Sequence, residues 1–183
     1  RQNYPFLISV DPFTDDWTVV AYPQKSLTTT VEQTQIIQEK LVSDFVKNWF
    51  TISGDMKTND ARLRECIAED CFDPEQFNPN NVNCAIFCAA DNELYNQFKD
   101  RVLSEYRARL KQRSEKWRVE KMDIMPTSFG ETGGLWQVFA SINSTVNKTF
   151  NVLAFVTVGR LDDAYPATLG YYVKDFNSYR MQQ

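Results

Sequence analysis

The stretch Leu135–Gly159, LWQVFASINSTVNKTFNVLAFVTVG, decides how this chain folds. Lys148 is its sole charge. From Trp136 onward, alternate positions carry Trp136, Val138, Ala140, Ile142, Ser144 and Val146. Side chains two apart share a face of a strand, so the pattern predicts a half-buried strand. Phe150–Val158 is apolar on both faces and rich in β-branched and aromatic residues, as a central strand requires. Between them, Val146-Asn147-Lys148-Thr149 offers a tight turn, because Asn tolerates positive φ. The two halves predict a hairpin at the centre of a sheet. One hairpin is not stable alone. The rest of the chain must supply further strands and a helical cover.

Outward toward the C-terminus, Leu161–Thr168 reads as a loop holding Asp162, Asp163 and Pro166. Leu169–Tyr179 reads as a final strand, with an irregularity between Val173 and Phe176. Outward in the other direction, Gly130, Gly133 and Gly134 mark a turn into the hairpin. Trp117–Met125 alternates with a phase shift that predicts a bulge near Glu120 or Lys121. Asp91 caps a predicted helix to about Arg113, with Leu94, Tyr95, Phe98, Val102, Tyr106 and Leu110 as its apolar side. Arg107, Arg109, Lys111 and Arg113 suit the negative end of its dipole.

Further upstream lies a second amphipathic pattern. Thr28–Thr30 supplies an N-cap, and Gln33 completes a capping box. Ile37, Leu41, Phe45 and Trp49 then recur at helical spacing, flanked by Val42, Val46 and Phe50, and Gly54 is the stop. The spacing predicts a helix over Thr30–Ile52. Tyr4–Val10 and Trp17–Tyr22 read as two strands joined by a turn at Asp11–Asp16. Between the helices, Asn59 or Asp60 caps a short helix over Ala61–Glu69, and Asp73-Pro74 starts another helical turn. Asn78–Asn81 is a loop, and Asn83–Ala89 reads as helical or irregular. Strands, helices, then four strands on short connections define an α+β fold with helices on one face of an antiparallel sheet. A long helix curled into a bent sheet makes a cone with one open end. At 183 residues the chain reads as one domain, 1–183.

The totals narrow the chemistry. There is no histidine, which removes Ser-His-Asp and Cys-His nucleophile arrangements and His-ligated metals. A net charge of −4 argues against nucleic-acid binding. No run is long and apolar enough to span a membrane. The chain opens on Arg1 and shows no signal peptide, so any targeting or anchoring segment is expected upstream.

Four cysteines, Cys66, Cys71, Cys84 and Cys88, crowd one segment. Zinc would need all four as thiolates, and the spacing fits structural zinc patterns poorly. One or two disulfides fit an oxidising compartment, and buried free thiols remain open. The basic run from Arg107 to Lys121 is interleaved with Glu105, Glu115 and Glu120, as a solvated helix end is. Asn143-Ser-Thr and Asn147-Lys-Thr match the glycosylation pattern. The many aromatics either fill the core or line a cavity for a small apolar ligand. Glu39 and Asp44 are the acids beside the first helix's stripe, and neither has an evident partner for acid–base work.

The closing stretch Tyr165-Pro-Ala-Thr-Leu-Gly-Tyr-Tyr-Val-Lys-Asp-Phe-Asn-Ser-Tyr-Arg180 resembles the end of a known family. That family is the bitopic inner-membrane assembly factor of bacterial type IV secretion systems, of the VirB and Trb conjugation types. There, Pro and then Leu-Gly lead into a last strand ending in an aromatic–Arg pair. Tyr4-Pro-Phe-Leu-Ile-Ser-Val-Asp11 is similar to that family's entry after its membrane anchor. Leu41-Val-Ser-Asp-Phe-Val-Lys-Asn-Trp-Phe50 is similar to its first periplasmic helix. Asn48, Trp49 and Phe50 stand where the family continues with Arg-Glu and an aromatic, and the cysteine segment has no counterpart. The resemblance implies a cone of the nuclear-transport-factor type, on the periplasmic face of the inner membrane, behind one upstream anchor. It implies a non-catalytic scaffold; no cofactor, nucleic acid or metal is expected. Its partners would be other channel subunits and, weakly, its own copies, with membrane contact through the anchor alone. Self-association in the family uses the first helix and last strand, which points to Lys47, Trp49, Tyr172 and Lys174. The competing expectation is a cone-fold enzyme or carrier using an aromatic-lined cavity.

Overall fold

A computed structural model of the chain describes residues 7–10, 17–20, 31–59, 89–165 and 168–182. The chain divides into two compact units, Arg1–Thr30 and Val31–Gln183. In the first, β1 (Leu7–Val10) and β2 (Trp17–Val20) pair antiparallel, with Leu7 opposite Val20 and Val10 opposite Trp17. These are the two strands expected from the apolar runs either side of Asp11–Asp16.

The second unit contains α1 (Val31–Trp49), α2 (Asn92–Gln97), a π-helical turn (Phe98–Val102), α3 (Leu103–Arg113) and four strands. The strands are β3 (Trp117–Gly130), β4 (Gly133–Ser144), β5 (Lys148–Arg160) and β6 (Tyr171–Arg180). They form one antiparallel sheet in the order β3-β4-β5-β6, so the class is α+β. The expected helix Ala61–Glu69, the turns at Asp73 and Asn78, the cap at Thr30 and all four cysteines lie outside the described residues.

The opening hairpin is the centre of the sheet. β4 and β5 run in continuous register from Gly134 opposite Val158 to Ser144 opposite Lys148. Their alternate residues, from Trp136 to Ile142 and from Phe150 to Val158, are buried. The turn differs from expectation. The positive φ of 58° falls on Lys148, not on Asn147. Asn147 is held instead by its backbone N–H, which donates to Ser144 Oγ at 3.1 Å.

β3 runs five residues beyond the expected end at Met125. Pro126 cannot donate to a ladder, yet β3 is an edge strand, where proline is tolerated. The register shifts there, between Pro126 and Ser128, and also between Val119 and Lys121. The second shift makes Glu120 the bulged residue, at the position the phase shift predicted.

α1 lies across all four strands. Leu41, Val42, Phe45, Val46, Trp49 and Phe50 are buried, as the spacing requires. The helix stops at Trp49 rather than Ile52. Ile52 is 1% exposed and extended, and it exchanges both backbone hydrogen bonds with Trp117 at 3.1 Å. Asn59 is itself in helical conformation. It sits in a helical turn at 56–59 that Asp55 caps, Oδ1 accepting from Lys57 N at 3.0 Å.

Asp91 caps α2 as expected, accepting from Glu93 N at 2.9 Å. The π turn then inserts one residue into the helical phase. Its consequence is that Leu103, not Val102, takes the buried place between Phe98 and Tyr106. Ala89 and Asp91 bond Val173 on the outer edge of β6, at 2.7 and 2.9 Å, which fixes the start of α2 against the sheet.

Candidate interaction surface

Among the described residues, the aromatics beneath α1 pack on one another. Phe176 lies 5.1 Å from Phe45 and 4.9 Å from Trp49, and Trp49 lies 5.1 Å from Phe98. Ring centroids at these separations are in direct contact. Trp49 also accepts at its backbone carbonyl from Tyr106 Oη.

Of the four interface candidates, the structure exposes Lys47 and Lys174 and buries the other two. Trp49 is 6% exposed and belongs to the core. Tyr172 is 8% exposed. It stacks on Tyr165 with centroids 4.6 Å apart and covers Gly159, whose added Cβ would stand 2.8 Å from the Tyr172 ring. Lys174 is the bulged residue of β6, since Asp175 pairs with Thr157 and Val173 with Val158. Lys47 and Lys174 are therefore reachable, while Trp49 and Tyr172 act on a surface only through their packing.

The expected acids behave as a solvated face. Glu39 is exposed, and Asp44 pairs with Lys40 at 3.0 Å. The basic run does not form one patch. Arg109 binds Glu105 at 2.6 Å and Glu115 at 3.3 Å, and Arg118 and Lys121 approach Glu120 and Asp123 at 3.5 Å. Among the described residues no His, Cys, Asp and Glu group could hold a metal.

One residue with unusual chemistry had no signal in the sequence. Glu115 is completely buried. It follows Ser114, whose left-handed φ of 50° ends α3, and this turn swings the carboxylate back under the β4–β5 hairpin. Its Oε1 accepts from Trp117 Nε1 at 2.7 Å and Ser144 Oγ at 2.9 Å. Asn147 Nδ2 approaches at 3.5 Å, and Arg109 lies over the Trp117 ring at 5.0 Å. Burial is the largest influence on the carboxyl and pushes its pKa up. The hydrogen bonds from Trp117 and Ser144 and the charge of Arg109 together outweigh it and hold the carboxyl below its usual range. The site is a clamp between a helix end and a hairpin turn. Its acceptors are engaged, so it is not a poised acid or base.

A recess of about 460 Å³ opens beside the same turn, lined by Asn147, Thr149, Phe150, Arg180, Met181 and Gln182. Arg180 caps the Phe150 ring there, 4.5 Å from its centroid. Among the described residues no helix is long and apolar enough to cross a membrane.

No protein-family model matches the chain, and no curated protein matches it. Among solved structures, the chain is similar to the soluble domain of TrwG of the type IV secretion machinery from Bartonella grahamii. The identity is 10% and the TM-score 0.44, over 81% of this chain and 95% of that one. Likeness at that level fixes neither fold nor function.

Proposed function

We propose that the chain is a periplasmic, non-catalytic scaffold domain of a bacterial type IV secretion channel. The observation that carries this reading is the closing stretch Tyr165–Arg180, with its Leu169-Gly170 step and its terminal Tyr179-Arg180 pair. The resemblances at Tyr4–Asp11 and Leu41–Phe50 support it from the other end of the chain. In this reading the domain stands behind one upstream membrane anchor and adopts the cone of the nuclear-transport-factor type. It binds other channel subunits and, weakly, itself. Several weak contacts on a tethered, symmetric assembly add up through effective concentration rather than through any one tight interface.

Two structural observations favour a scaffold over a ligand-binding enzyme. The described aromatics beneath α1 pack ring against ring. The buried carboxylate Glu115 is engaged by its neighbours instead of facing a cavity. Lys47 and Lys174 are the exposed contact candidates.

Binding of the purified chain to the soluble domains of its channel subunits, measured by titration calorimetry, tests the reading. Micromolar dissociation constants are expected, as for small transient interfaces. Lys47→Glu and Lys174→Glu are expected to weaken binding several-fold. Absence of binding to every subunit would remove the scaffold function.

A further inference from the structure

The recess beside the hairpin turn is lined by Asn147, Thr149, Phe150, Arg180, Met181 and Gln182, and the scaffold reading makes no use of it. The registers explain how it forms. Arg180 pairs with Val152, so it stands on the same face as Val152 and Phe176, the face α1 covers. β6 ends at Arg180, whereas β5 begins four residues before Val152, at Lys148. Met181 N still donates to Asn151 O at 2.9 Å. Beyond it the two strands cease to pair, and the recess lies in that step. Phe150 supplies an aromatic wall, with the Arg180 guanidinium over its ring at 4.5 Å. Arg180 differs from other arginines of the chain. Arg109, Arg118 and Arg160 each reach a carboxylate at 3.5 Å or less. Arg180 is exposed and has no carboxylate partner among the described residues. Stacking occupies the plane of a guanidinium and leaves its N–H edges free for a carboxylate. The lining itself holds no acid, although the chain carries −4. Glu115, which Asn147 Nδ2 approaches at 3.5 Å, is ion-paired with Arg109.

We infer that this recess binds the C-terminal residue of a peptide. The chain-terminal carboxylate sits on Arg180, and an apolar last side chain lies against Phe150 and Met181. Three features of the lining select that ligand. Its sole charge is a guanidinium, whose fork matches a carboxylate with two parallel hydrogen bonds. The side-chain amides of Asn147 and Gln182 each offer donors and an acceptor, the complement of a peptide group. Phe150 and the 43% exposed Met181 form an apolar wall, and a thioether adapts to side chains of different shape. A bare anion would leave that wall without a partner, and a fatty acid would leave the amides without one. The volume of about 460 Å³ lies within the range of small-ligand sites, enough for one terminal residue and the peptide group before it. Capture of a chain-terminal carboxylate is a recurring mode of peptide recognition.

This inference does not depend on the secretion reading. Titrating the chain with N-acetyl-phenylalanine, and with a short peptide that ends in phenylalanine, tests it by NMR. Dissociation constants of about 0.1–1 mM are expected for ligands of this size in an open site. The largest shifts are expected at the side-chain amides of Asn147 and Gln182. N-acetyl-phenylalaninamide, which lacks the carboxylate, should bind about tenfold or more weakly. Arg180→Gln and Gln182→Glu, both at exposed positions, should each weaken binding of both acids about tenfold or more, and Arg180→Lys less. Circular dichroism checks each variant's fold, and Gln182→Glu carries the test if Arg180→Gln does not fold. No shift at ligand concentrations up to about 10 mM, well above the expected constants, overturns the proposal. So does an amide that binds as tightly as the acid, or binding unchanged in Arg180→Gln, which would leave Arg180 as a cover for Phe150. Inorganic phosphate binding as tightly as the two acids overturns it in favour of a general anion site. Binding of the free acid without the peptide overturns it too, since the site would then be closed to a chain.

Discussion

Glu115 shows how much one side chain can hold. Its carboxylate joins the end of α3, the indole of Trp117 and the hairpin turn at Ser144 and Asn147. Breaking a buried ion pair by removing one partner costs about 3–5 kcal/mol, so Glu115→Ala should lower the melting temperature more than any exposed acid-to-alanine change. Its pH dependence has a definite sign. The folded pKa lies below the ordinary 4.5. The stabilisation is therefore fully present above pH 4.5 and is lost as pH falls through the folded value. Calorimetry between pH 7 and pH 3 should show wild type losing stability in the acid part of that window. Glu115→Gln should be less stable at neutral pH and fall less steeply. Parallel curves for the two proteins would contradict this.

Two neighbours on α1 make a contrasting pair. Gln38 is fully buried and satisfied, accepting from Trp136 Nε1 at 3.0 Å and donating to Gly130 O at 2.9 Å. Thr34, one turn earlier, is 1% exposed, and its hydroxyl has no hydrogen-bond partner among the described residues. Removing a satisfied polar group strands its partners, whereas removing an unsatisfied one removes a penalty. Gln38→Leu should therefore cost about 1–3 kcal/mol, and Thr34→Val should be neutral or stabilising. Denaturant titrations of both variants decide. A destabilised Thr34→Val would mean that its hydroxyl has a role in the fold.

At the scale of elements, the sequence was legible where local periodicity and tertiary burial agree. The β4–β5 hairpin could be read because one face alternates and the other is nearly free of charge. α1 could be read because five buried apolar residues, Leu41, Val42, Phe45, Val46 and Trp49, fall on one stripe. What could not be read came from outside the local pattern. Ile52 continues the helical spacing but is taken by the edge of β3. Pro126 looks like a strand end but is accommodated by a bulge. Glu115 looks like one acid in a basic run but is turned inward by the left-handed Ser114. The π turn at Phe98–Val102 belongs to the same class, since no residue type announces it. It makes a sharp prediction about which leucine or valine matters. Leu103→Ala should cost about 2–5 kcal/mol as a buried large-to-small change, and Val102→Ala, at a half-buried position, clearly less. Equal losses, or the reverse order, would mean that the helix keeps its α phase through this segment.

At the scale of the molecule, net charge acts on weak self-association. Each chain carries −4 at pH 7 and reaches neutrality near pH 5.0. Two copies that meet must overcome that like-charge repulsion, which fades as the net charge approaches zero. The Glu115 clamp persists through this interval, since its stability is lost only below pH 4.5. Self-association should therefore tighten several-fold from pH 8 to pH 5 while the fold stays intact, and weaken again only where acid unfolding begins. Sedimentation and circular dichroism across that range separate the two effects. A dimer that loosens steadily toward pH 5, with the fold unchanged, would mean that carboxylates hold the interface together, and that net charge does not govern it.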